Sequence, residues 1–245
     1  MKILILIPVY KRPEVFKVCL ENLKWFASQV SWTIEVVCVL SPDDEDMKLN
    51  EKLVKKYGHK AVYWENLPVA EKMNAGLQWV CRNKDFDYLM NFGSDDLIHP
   101  EIEKLYAPLL AKKVKFFGIN TLYFMDYATH KTFFFNTYNN TGSIGAGRMI
   151  HKSILDKFIF DDYPLYDPGL SQGLDCSSAM SIKRTLSEVD VIIDSGGFPY
   201  IVDIKTNTNI NHITHIETRT QHITYFPDNH LNSYYPCLAT KIGNS

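Results

Sequence analysis

Short apolar runs alternate with helically spaced apolar residues along the first half of the chain. Residues Ile3 to Ile7 form a continuous apolar run ended by Pro8, which is typical of a central strand covered on both faces. After Pro13, apolar residues recur every three or four positions and predict a helix. The same alternation continues, with further strands predicted at 34–40, 61–64 and 88–92. This repetition predicts an α/β, Rossmann-like fold with a doubly wound, mostly parallel central sheet.

The helices between these strands have recognisable starts and ends. The turn residues 41–44, Ser-Pro-Asp-Asp, predict capping of a helix that ends near Tyr57-Gly58. Further helices are predicted over 69–82 and after Pro100.

Beyond about residue 115 the pattern becomes a mixture of strands and short helices. A strand is predicted at 116–119, and a hairpin is predicted to join 122–127 to 132–138. Within this hairpin, Phe133-Phe134-Phe135 is expected to pack in the core rather than to form a sugar-binding platform. Helices are predicted near 153–157 and over 174–184, and strands at 189–193 and 200–204.

The last part of the chain, from Lys205 onwards, is rich in Asn, Thr, His and Tyr and loses clear periodicity. This composition predicts a tail on the surface or a flexible lid. The 245 residues can bury one sizeable core. We therefore expect a single domain over 1–245, with an α/β half at 1–115, a mixed α+β half at 116–204 and a tail or lid at 205–245.

Composition excludes several classes of protein. With 26 basic and 28 acidic side chains, the net charge of −2 gives no bulk attraction to nucleic acid or to an anionic membrane. Five scattered cysteines without a CxxC pair argue against a disulfide framework or a cysteine-rich zinc site. The apolar opening is too short to span a bilayer or to serve as a signal peptide, so a cytoplasmic protein without an integral membrane segment is expected.

Polar residues follow the predicted strands, at the edge of the sheet where open α/β proteins bind ligands. No GxGxxG or GxxxxGK motif follows the first strand, which removes the usual grounds for a dinucleotide-binding or P-loop protein. Asp95 and Asp96 follow the fourth strand and suit Mg²⁺ or Mn²⁺, because these cations are typically held by one or two carboxylates together with substrate phosphates. Such a cation would neutralise a departing diphosphate.

Three segments carry a resemblance to a known family. They are Ile-Leu-Ile-Pro-Val-Tyr-Lys-Arg-Pro-Glu at 5–14, Asn-Leu-Pro-Val-Ala-Glu-Lys-Met-Asn-Ala-Gly-Leu at 66–77 and Tyr-Leu-Met-Asn-Phe-Gly-Ser-Asp-Asp-Leu-Ile-His-Pro-Glu at 88–101. Over about residues 3–205 the chain resembles the GT-A fold nucleotide-diphosphosugar transferases, in particular family 2-like glycosyltransferases. Gly93 stands where that family has the first aspartate of its Asp-x-Asp motif.

The resemblance implies that residues 1–115 bind a nucleoside diphosphate sugar, with a UDP-sugar favoured, and that 116–204 bind the acceptor. The implied nucleotide-sugar contacts are Pro8, Tyr10, Arg12, Asp43, Lys72, Asn74, Ser94 and Asp95. Asp44 is the alternative to Asp43 as the residue that reads the base. The implied ligands of Mn²⁺ or Mg²⁺ are Asp95, Asp96 and His212, with His215 as the alternative late histidine.

The resemblance also implies an inverting sugar transfer with Asp175 as the general base, which takes the proton from an acceptor hydroxyl. The acceptor is a glycan or another hydroxyl-bearing molecule, such as a lipid-linked sugar, a protein or a modified nucleic-acid base. Structural roles compete with these assignments, because Asp95, Asp96 and Asp175 each lie near the start of a predicted helix and could cap it. Tyr10 and Arg12 could simply close a loop.

Two other functions are compatible with this fold. A sugar nucleotidyltransferase has a related fold but is expected to carry a glycine-rich, arginine-containing loop after the first strand, and residues 8–13 offer none. A non-catalytic sugar-nucleotide-binding protein is suggested by Gly93 in place of an aspartate.

Overall fold

A computed structural model of the protein describes residues 1–135, 142–206 and 223–239. In these residues the strands are β1 (Lys2–Val9), β2 (Thr33–Leu40), β3 (Lys60–Tyr63), β4 (Tyr88–Asn91), β5 (Asp96–Ile98), β6 (Phe116–Ile119), β7 (Leu122–Asp126), β8 (Thr132–Phe135), β9 (Met149–His151), β10 (Val191–Ile193), β11 (Ile201–Lys205) and β12 (Ile223–Phe226). The helices are α1 (Pro13–Gln29), α2 (Met47–Lys56), α3 (Val69–Asn83), α4 (Ile102–Ala111), α5 (Lys152–Phe160), α6 (Leu174–Leu186) and α7 (Pro236–Ala239), with a 3₁₀ turn at His230–Ser233.

The larger sheet has the strand order β10-β6-β9-β4-β1-β2-β3 among the described residues. Strands β4, β1, β2 and β3 are parallel, β10 is parallel to β6, and β9 runs antiparallel to both of its neighbours. Residues Ile3 to Ile7 of the central β1 are fully buried because helices cover both faces of the sheet. The predicted α/β class and mostly parallel sheet are confirmed.

A smaller sheet packs against the larger one, with the order β12-β8-β7-β11-β5. Strand β5 follows β4 after a four-residue loop and pairs antiparallel with β11, so the chain crosses from one sheet to the other at 92–95. The main core cluster contains Ile5 of the larger sheet together with Phe124 and Phe133 of the smaller one. The two sheets therefore share buried apolar surface at the crossing point.

The predicted hairpin is confirmed, since β7 and β8 pair antiparallel and Phe133, Phe134 and Phe135 are buried. Strand β1 continues through Pro8, beyond its predicted end. Pro8 has no N–H to donate, but the neighbouring strand β4 stops opposite Leu6, so no hydrogen bond to β4 is lost at this position.

The predicted capping of α2 by 41–44 is wrong. The helix begins at Met47, because the carboxylate of Asp44 accepts hydrogen bonds from the N–H groups of Lys11 and Asp46 instead.

The short strands β5, β9 and β12 were not predicted from the sequence. Each has three or four residues, too few for a periodic pattern to stand out. Strand β12 and α7 lie in the segment expected to be a tail or lid, where β12 extends the smaller sheet and Leu238 of α7 is buried. The division into three segments stays a prediction. Of the helices within the described ranges, none combines the length and the apolar character needed to cross a bilayer.

Candidate functional site

Three carboxylates meet where the chain crosses between the sheets. Asp95 immediately precedes β5, Asp96 begins it, and Asp203 of β11 pairs directly opposite Asp96. One carboxylate oxygen from each residue lies within 4.8 Å of the other two. We call Asp95, Asp96 and Asp203 the carboxylate cluster. Neither Asp95 nor Asp96 caps a helix, since α4 begins at Ile102 after Glu101.

Burial and mutual repulsion shape the electrostatics of this cluster. Burial raises the pKa of Asp96 well above its usual value, and the negative charges of Asp203 and Asp95 raise it further. Burial likewise raises the pKa of Asp203, to about 6, although Lys205 opposes the shift. A group that favours the charged form of these acids, such as a bound cation, would therefore stabilise the cluster.

Two basic side chains contact members of the carboxylate cluster, one at Asp95 and one at Asp203. Arg12 Nη1 donates a hydrogen bond of 2.8 Å to Asp95 Oδ2, and Arg12 Nη2 lies 3.5 Å from Ser94 Oγ. Lys205 Nζ donates to Asp203 Oδ2 at 2.6 Å. The other oxygen of that residue, Asp203 Oδ1, is buried and accepts no hydrogen bond from any described residue. This orphaned acceptor is one that a cation could use.

Gly93 leaves the space that the cluster needs. Its N–H donates a hydrogen bond to Asp96 Oδ2. A methyl group at position 93 would lie 2.7 Å from Asp95 Oδ1 and 2.9 Å from Asp96 Oδ2, closer than real Cβ atoms approach. An aspartate at position 93 is therefore incompatible with this arrangement, and Asp203 brings a third carboxylate from the neighbouring strand β11.

The cluster has the ligand chemistry that a divalent cation requires. Mg²⁺ and Mn²⁺ prefer oxygen ligands, and a cation held at about 2.1 Å places its ligand oxygens at most about 4.2 Å apart. The present separations of up to 4.8 Å would need to contract only slightly. The residues therefore fit the predicted cation. His212 and the alternative His215 lie outside the described residues.

An unusual turn after β1 directs Arg12 toward the cluster. Lys11 and Arg12 both adopt left-handed backbone conformations, with φ of 56° and 53°. Such conformations cost a non-glycine residue about 1–2 kcal/mol each, so tertiary contacts must hold them. Asp44 Oδ2 accepts the Lys11 N–H at 2.7 Å and a hydrogen bond from Asn50 Nδ2 at 3.2 Å.

This use of Asp44 bears on which aspartate could read a base. The carboxylate of buried Asp44 is engaged by neighbouring backbone and by Asn50, whereas Asp43 is exposed at the same edge of the sheet. Of the two, Asp43 is the more exposed side chain, and its contact with a base stays a prediction. Tyr10 directly follows β1 and is partly exposed, with its ring 5.9 Å from Lys72 Nζ.

Lys72 is fully buried beneath this edge rather than exposed to a ligand. Its Nζ donates to the carbonyl of Val9 and to Ser41 Oγ, each at 2.6 Å, and to Asn66 Oδ1 at 3.2 Å. Burial lowers the pKa of Lys72 to about 7. These three acceptors match the three donors of an ammonium group, so Lys72 joins the ends of β1 and β2 to the loop before α3. Its direct contact with a donor stays a prediction.

Asn74 also serves an internal contact. Its Nδ2 donates to the carbonyl of Tyr166 at 2.7 Å, and its Oδ1 accepts the Tyr166 N–H at 3.0 Å. This pair of hydrogen bonds attaches the segment before α6 to α3. The predicted contact between Asn74 and a donor is likewise untested, as is that of Pro8, which lies within β1.

Asp175 lies in the first turn of α6, but it is not the N-cap, which is Gly173. Its Oδ2 accepts the Gly145 N–H at 2.9 Å. A methyl group at position 145 would lie 2.0 Å from Asp175 Oδ1, so only glycine leaves room for this carboxylate. Fully buried Arg148 donates to the main-chain carbonyl of Asp175 at 2.8 Å and fixes the start of the helix.

Asp95, Asp96, Arg12 and Asp175 were predicted as site residues from the sequence, whereas Asp203 was not. A lone aspartate within an alternating strand carries no signal of its own, and only the pairing of β11 with β5 brings it to the cluster. The contact between Gly145 and Asp175 likewise became visible only in the structure.

The fold of this chain is similar to that of solved glycosyltransferase structures. S. aureus TarS 1-349 in complex with UDP-GlcNAc matches with a TM-score of 0.55 at 14% identity, over 100% of this chain and 67% of that one. The mannosyltransferase PcManGT from Pyrobaculum calidifontis, in complex with GDP-Man and Mn²⁺, matches with a TM-score of 0.56 at 12% identity, over 99% and 65% of the two chains.

The chain is shorter than the proteins it resembles. It covers 60% of another TarS 1-349 structure and 46% of a longer TarS chain, at 14% and 12% identity and TM-scores of 0.52 and 0.57. No family model matches the sequence, and no curated protein matches it. At these identities the likeness establishes the fold and confirms the predicted GT-A architecture.

Proposed function

We propose that the chain is a metal-dependent glycosyltransferase that moves a sugar from a nucleoside diphosphate sugar to an acceptor hydroxyl with inversion. The observation that carries the proposal is the carboxylate cluster at the edge of the sheet where α/β folds bind ligands, with a buried oxygen of Asp203 that no described residue bonds. The structures similar to this chain include complexes with UDP-GlcNAc and with GDP-Man and Mn²⁺, which supports a nucleotide-sugar donor.

The donor half of the site is assigned to the edge formed by β1, β2 and β4. Tyr10 and exposed Asp43 are the candidates for contacts with the base, and Arg12 and Ser94 are the candidates for contacts with the diphosphate. Asp95, Asp96 and Asp203 would hold Mn²⁺ or Mg²⁺. When bound, such a cation supplies positive charge that stabilises the departing diphosphate.

Asp175 is the candidate general base. In an inverting transfer, the acceptor oxygen bonds to the anomeric carbon while the bond from that carbon to the diphosphate oxygen breaks. The carboxylate of Asp175 would accept the proton of the acceptor hydroxyl in the same step, and the nucleoside diphosphate would leave. The contact with Gly145 fixes one oxygen of Asp175 and supports a defined orientation of the other.

The alternatives have less support. Gly93 motivated a non-catalytic binding protein, but Asp203 supplies a carboxylate that the sequence motif lacks. A nucleotidyltransferase would need a glycine-rich loop after β1, and this chain has a glycine-free turn there.

The proposal is tested with a panel of nucleoside diphosphate sugars, each with and without Mn²⁺ or Mg²⁺. Thermal stabilisation and slow release of the nucleoside diphosphate would be followed for wild type, Asp95→Asn and the exposed-site control Asp161→Asn. We expect one donor to stabilise wild type and the control in a metal-dependent way, with loss of both signals in Asp95→Asn. The absence of stabilisation by every donor, with or without metal, would refute the proposal.

A further inference from the structure

The guanidinium of Arg12 occupies a carboxylate that the proposed cation would need. Arg12 Nη1 lies 2.8 Å from Asp95 Oδ2, and the two side chains are only 19% and 16% exposed. A pair this well shielded from water is screened less than a surface ion pair. Asp95 therefore already has a positively charged partner close to the point where a divalent cation would bind.

The turn that carries Arg12 is built to hold this position. Its two left-handed residues are fixed by the hydrogen bond from the Lys11 N–H to Asp44, and Asn50 Nδ2 donates to the carbonyl of Lys11 at 3.4 Å. Lys11 Nζ instead forms an ion pair with Glu45 at 3.2 Å. Among the residues of this turn, Arg12 is the one whose charge is directed at Asp95.

The charges of the site indicate how Arg12 affects the affinity for a cation that binds without nucleotide. Among the described residues, the cluster contributes up to three negative charges, and Arg12 and Lys205 contribute two positive ones. These two positive charges reduce the attraction that the carboxylates exert on a divalent cation, and a cation bound alone would leave one net positive charge in a partly buried site. A diphosphate adds negative charge and offers the guanidinium oxygen acceptors that suit its planar donors.

We propose that Arg12 and a divalent cation compete for Asp95, and that the diphosphate of a donor relieves the competition by accepting the Arg12 guanidinium. This inference rests on the proposed function. It adds that binding of the cation and binding of the nucleotide are coupled, so that each strengthens the other. Arg12 weakens binding of the cation alone and strengthens binding of the nucleotide. The site would thus stay largely without cation until a donor arrives.

The test measures binding of Mn²⁺ itself, by the loss of the free Mn²⁺ electron paramagnetic resonance signal, with and without saturating UDP or GDP. The variant is Arg12→Gln, which removes the charge and keeps a neutral hydrogen-bond donor on a shorter side chain. Lys11→Gln is the matched control, since it removes one positive charge from the adjacent residue of the same turn. Asp95→Asn reports whether the binding occurs at the cluster.

We expect Arg12→Gln to bind Mn²⁺ without nucleotide about tenfold more tightly than wild type, because one nearby positive charge is gone. The same variant should lose most of the enhancement that the nucleotide gives to wild type, whereas Lys11→Gln should resemble wild type in both respects. Equal or weaker binding of Mn²⁺ by Arg12→Gln without nucleotide would overturn the competition.

The outcomes also separate this inference from the function on which it rests. If wild type binds Mn²⁺ with nucleotide and Asp95→Asn does not, while Arg12→Gln matches wild type, only the competition fails. If neither wild type nor Arg12→Gln binds Mn²⁺ under any condition, the competition and the metal-dependent function both fail.

Discussion

The carboxylate cluster and Asp175 are acidic sites built in opposite ways. The cluster gathers three carboxylates from β5, the residue before it and β11, two of them with pKa values raised by burial, and one oxygen of Asp203 has no hydrogen-bond partner among the described residues. Asp175 stands in the first turn of a helix, partly exposed, with one oxygen held by a backbone N–H. Crowded carboxylates suit a cation, whereas a single oriented carboxylate suits proton transfer.

A glycine makes room for the carboxylates in both places. Gly93 lies against Asp95 and Asp96, and Gly145 lies against Asp175. Each glycine gives a way to displace acidic groups without altering them, and thereby to separate cation binding from proton transfer. The expected effects below run from the largest to the smallest.

Removal of the base should have the largest effect. Asp175→Asn keeps the size of the side chain but cannot accept the proton, so kcat should fall by about 10²–10⁴-fold. Binding of Mn²⁺ and nucleotide should stay within about twofold of wild type, because Asp175 belongs to the other acidic site. Steady-state kinetics with the identified donor and acceptor, together with titration of the nucleotide, measure both. An unchanged kcat would exclude Asp175 as the base.

Displacement of the base should have a smaller effect of the same kind. The added methyl group of Gly145→Ala would overlap Asp175 Oδ1 and move the carboxylate. A shift of about 1 Å in a reacting group can lower the rate by about 100-fold, so kcat should fall by about 10–100-fold with Mn²⁺ affinity retained.

Gly169→Ala is the matched control for that change. A methyl group there would meet its nearest neighbour, Asp167 Oδ1, only at 4.0 Å. The control should therefore keep wild-type kcat. Equal losses of kcat and of thermal stability in both variants would indicate general damage to the segment rather than displacement of Asp175.

Displacement of the carboxylate cluster should lower the affinity for Mn²⁺ and leave the base in place. In Gly93→Ala the added methyl group would press on Asp95 and Asp96, and the affinity for Mn²⁺ in the presence of nucleotide should fall by about tenfold. The geometry of Asp175 should be unaffected, so saturating Mn²⁺ should restore much of kcat. Titration of Mn²⁺ against rate measures this, and a loss of kcat that excess Mn²⁺ does not relieve would contradict the separation of the two sites.

The smallest effect is expected on stability without metal. Asp96→Asn should remove repulsion within the cluster while an amide oxygen still accepts the Gly93 N–H, and should raise the free energy of unfolding by about 1 kcal/mol. Urea denaturation in a chelator measures this. A destabilised Asp96→Asn would mean that Asp96 serves the fold more than it serves a cation.

The sequence predicted the elements with strong patterns and missed those with weak ones. The continuous apolar run at Ile3 to Ile7 and the helical spacing after Pro13 were sufficient to predict the α/β architecture. Strand β5 has only three residues, too few to show a periodic pattern. Neither the strand nor its pairing with β11, which brings Asp203 to Asp96, could therefore be predicted. Site residues adjacent in sequence were therefore predicted, while those that depend on pairing between distant strands were not.

Residue type alone does not reveal which polar side chains have partners within the fold. Lys72 and Asn74 lie in a segment that resembles donor-binding chains, yet their polar atoms contact the main chain of Val9 and Tyr166. From sequence alone, a buried lysine with three internal acceptors cannot be distinguished from one that meets a phosphate.

The central claim is that Asp203 completes a cation site that serves a nucleotide-sugar donor. The most direct measurement is titration of Mn²⁺ by paramagnetic resonance, in the presence of saturating nucleoside diphosphate, for wild type, Asp203→Asn and the control Asp161→Asn. The account predicts that Asp203→Asn weakens Mn²⁺ binding by about tenfold or more while the control matches wild type. Wild-type affinity for Mn²⁺ in Asp203→Asn would contradict it.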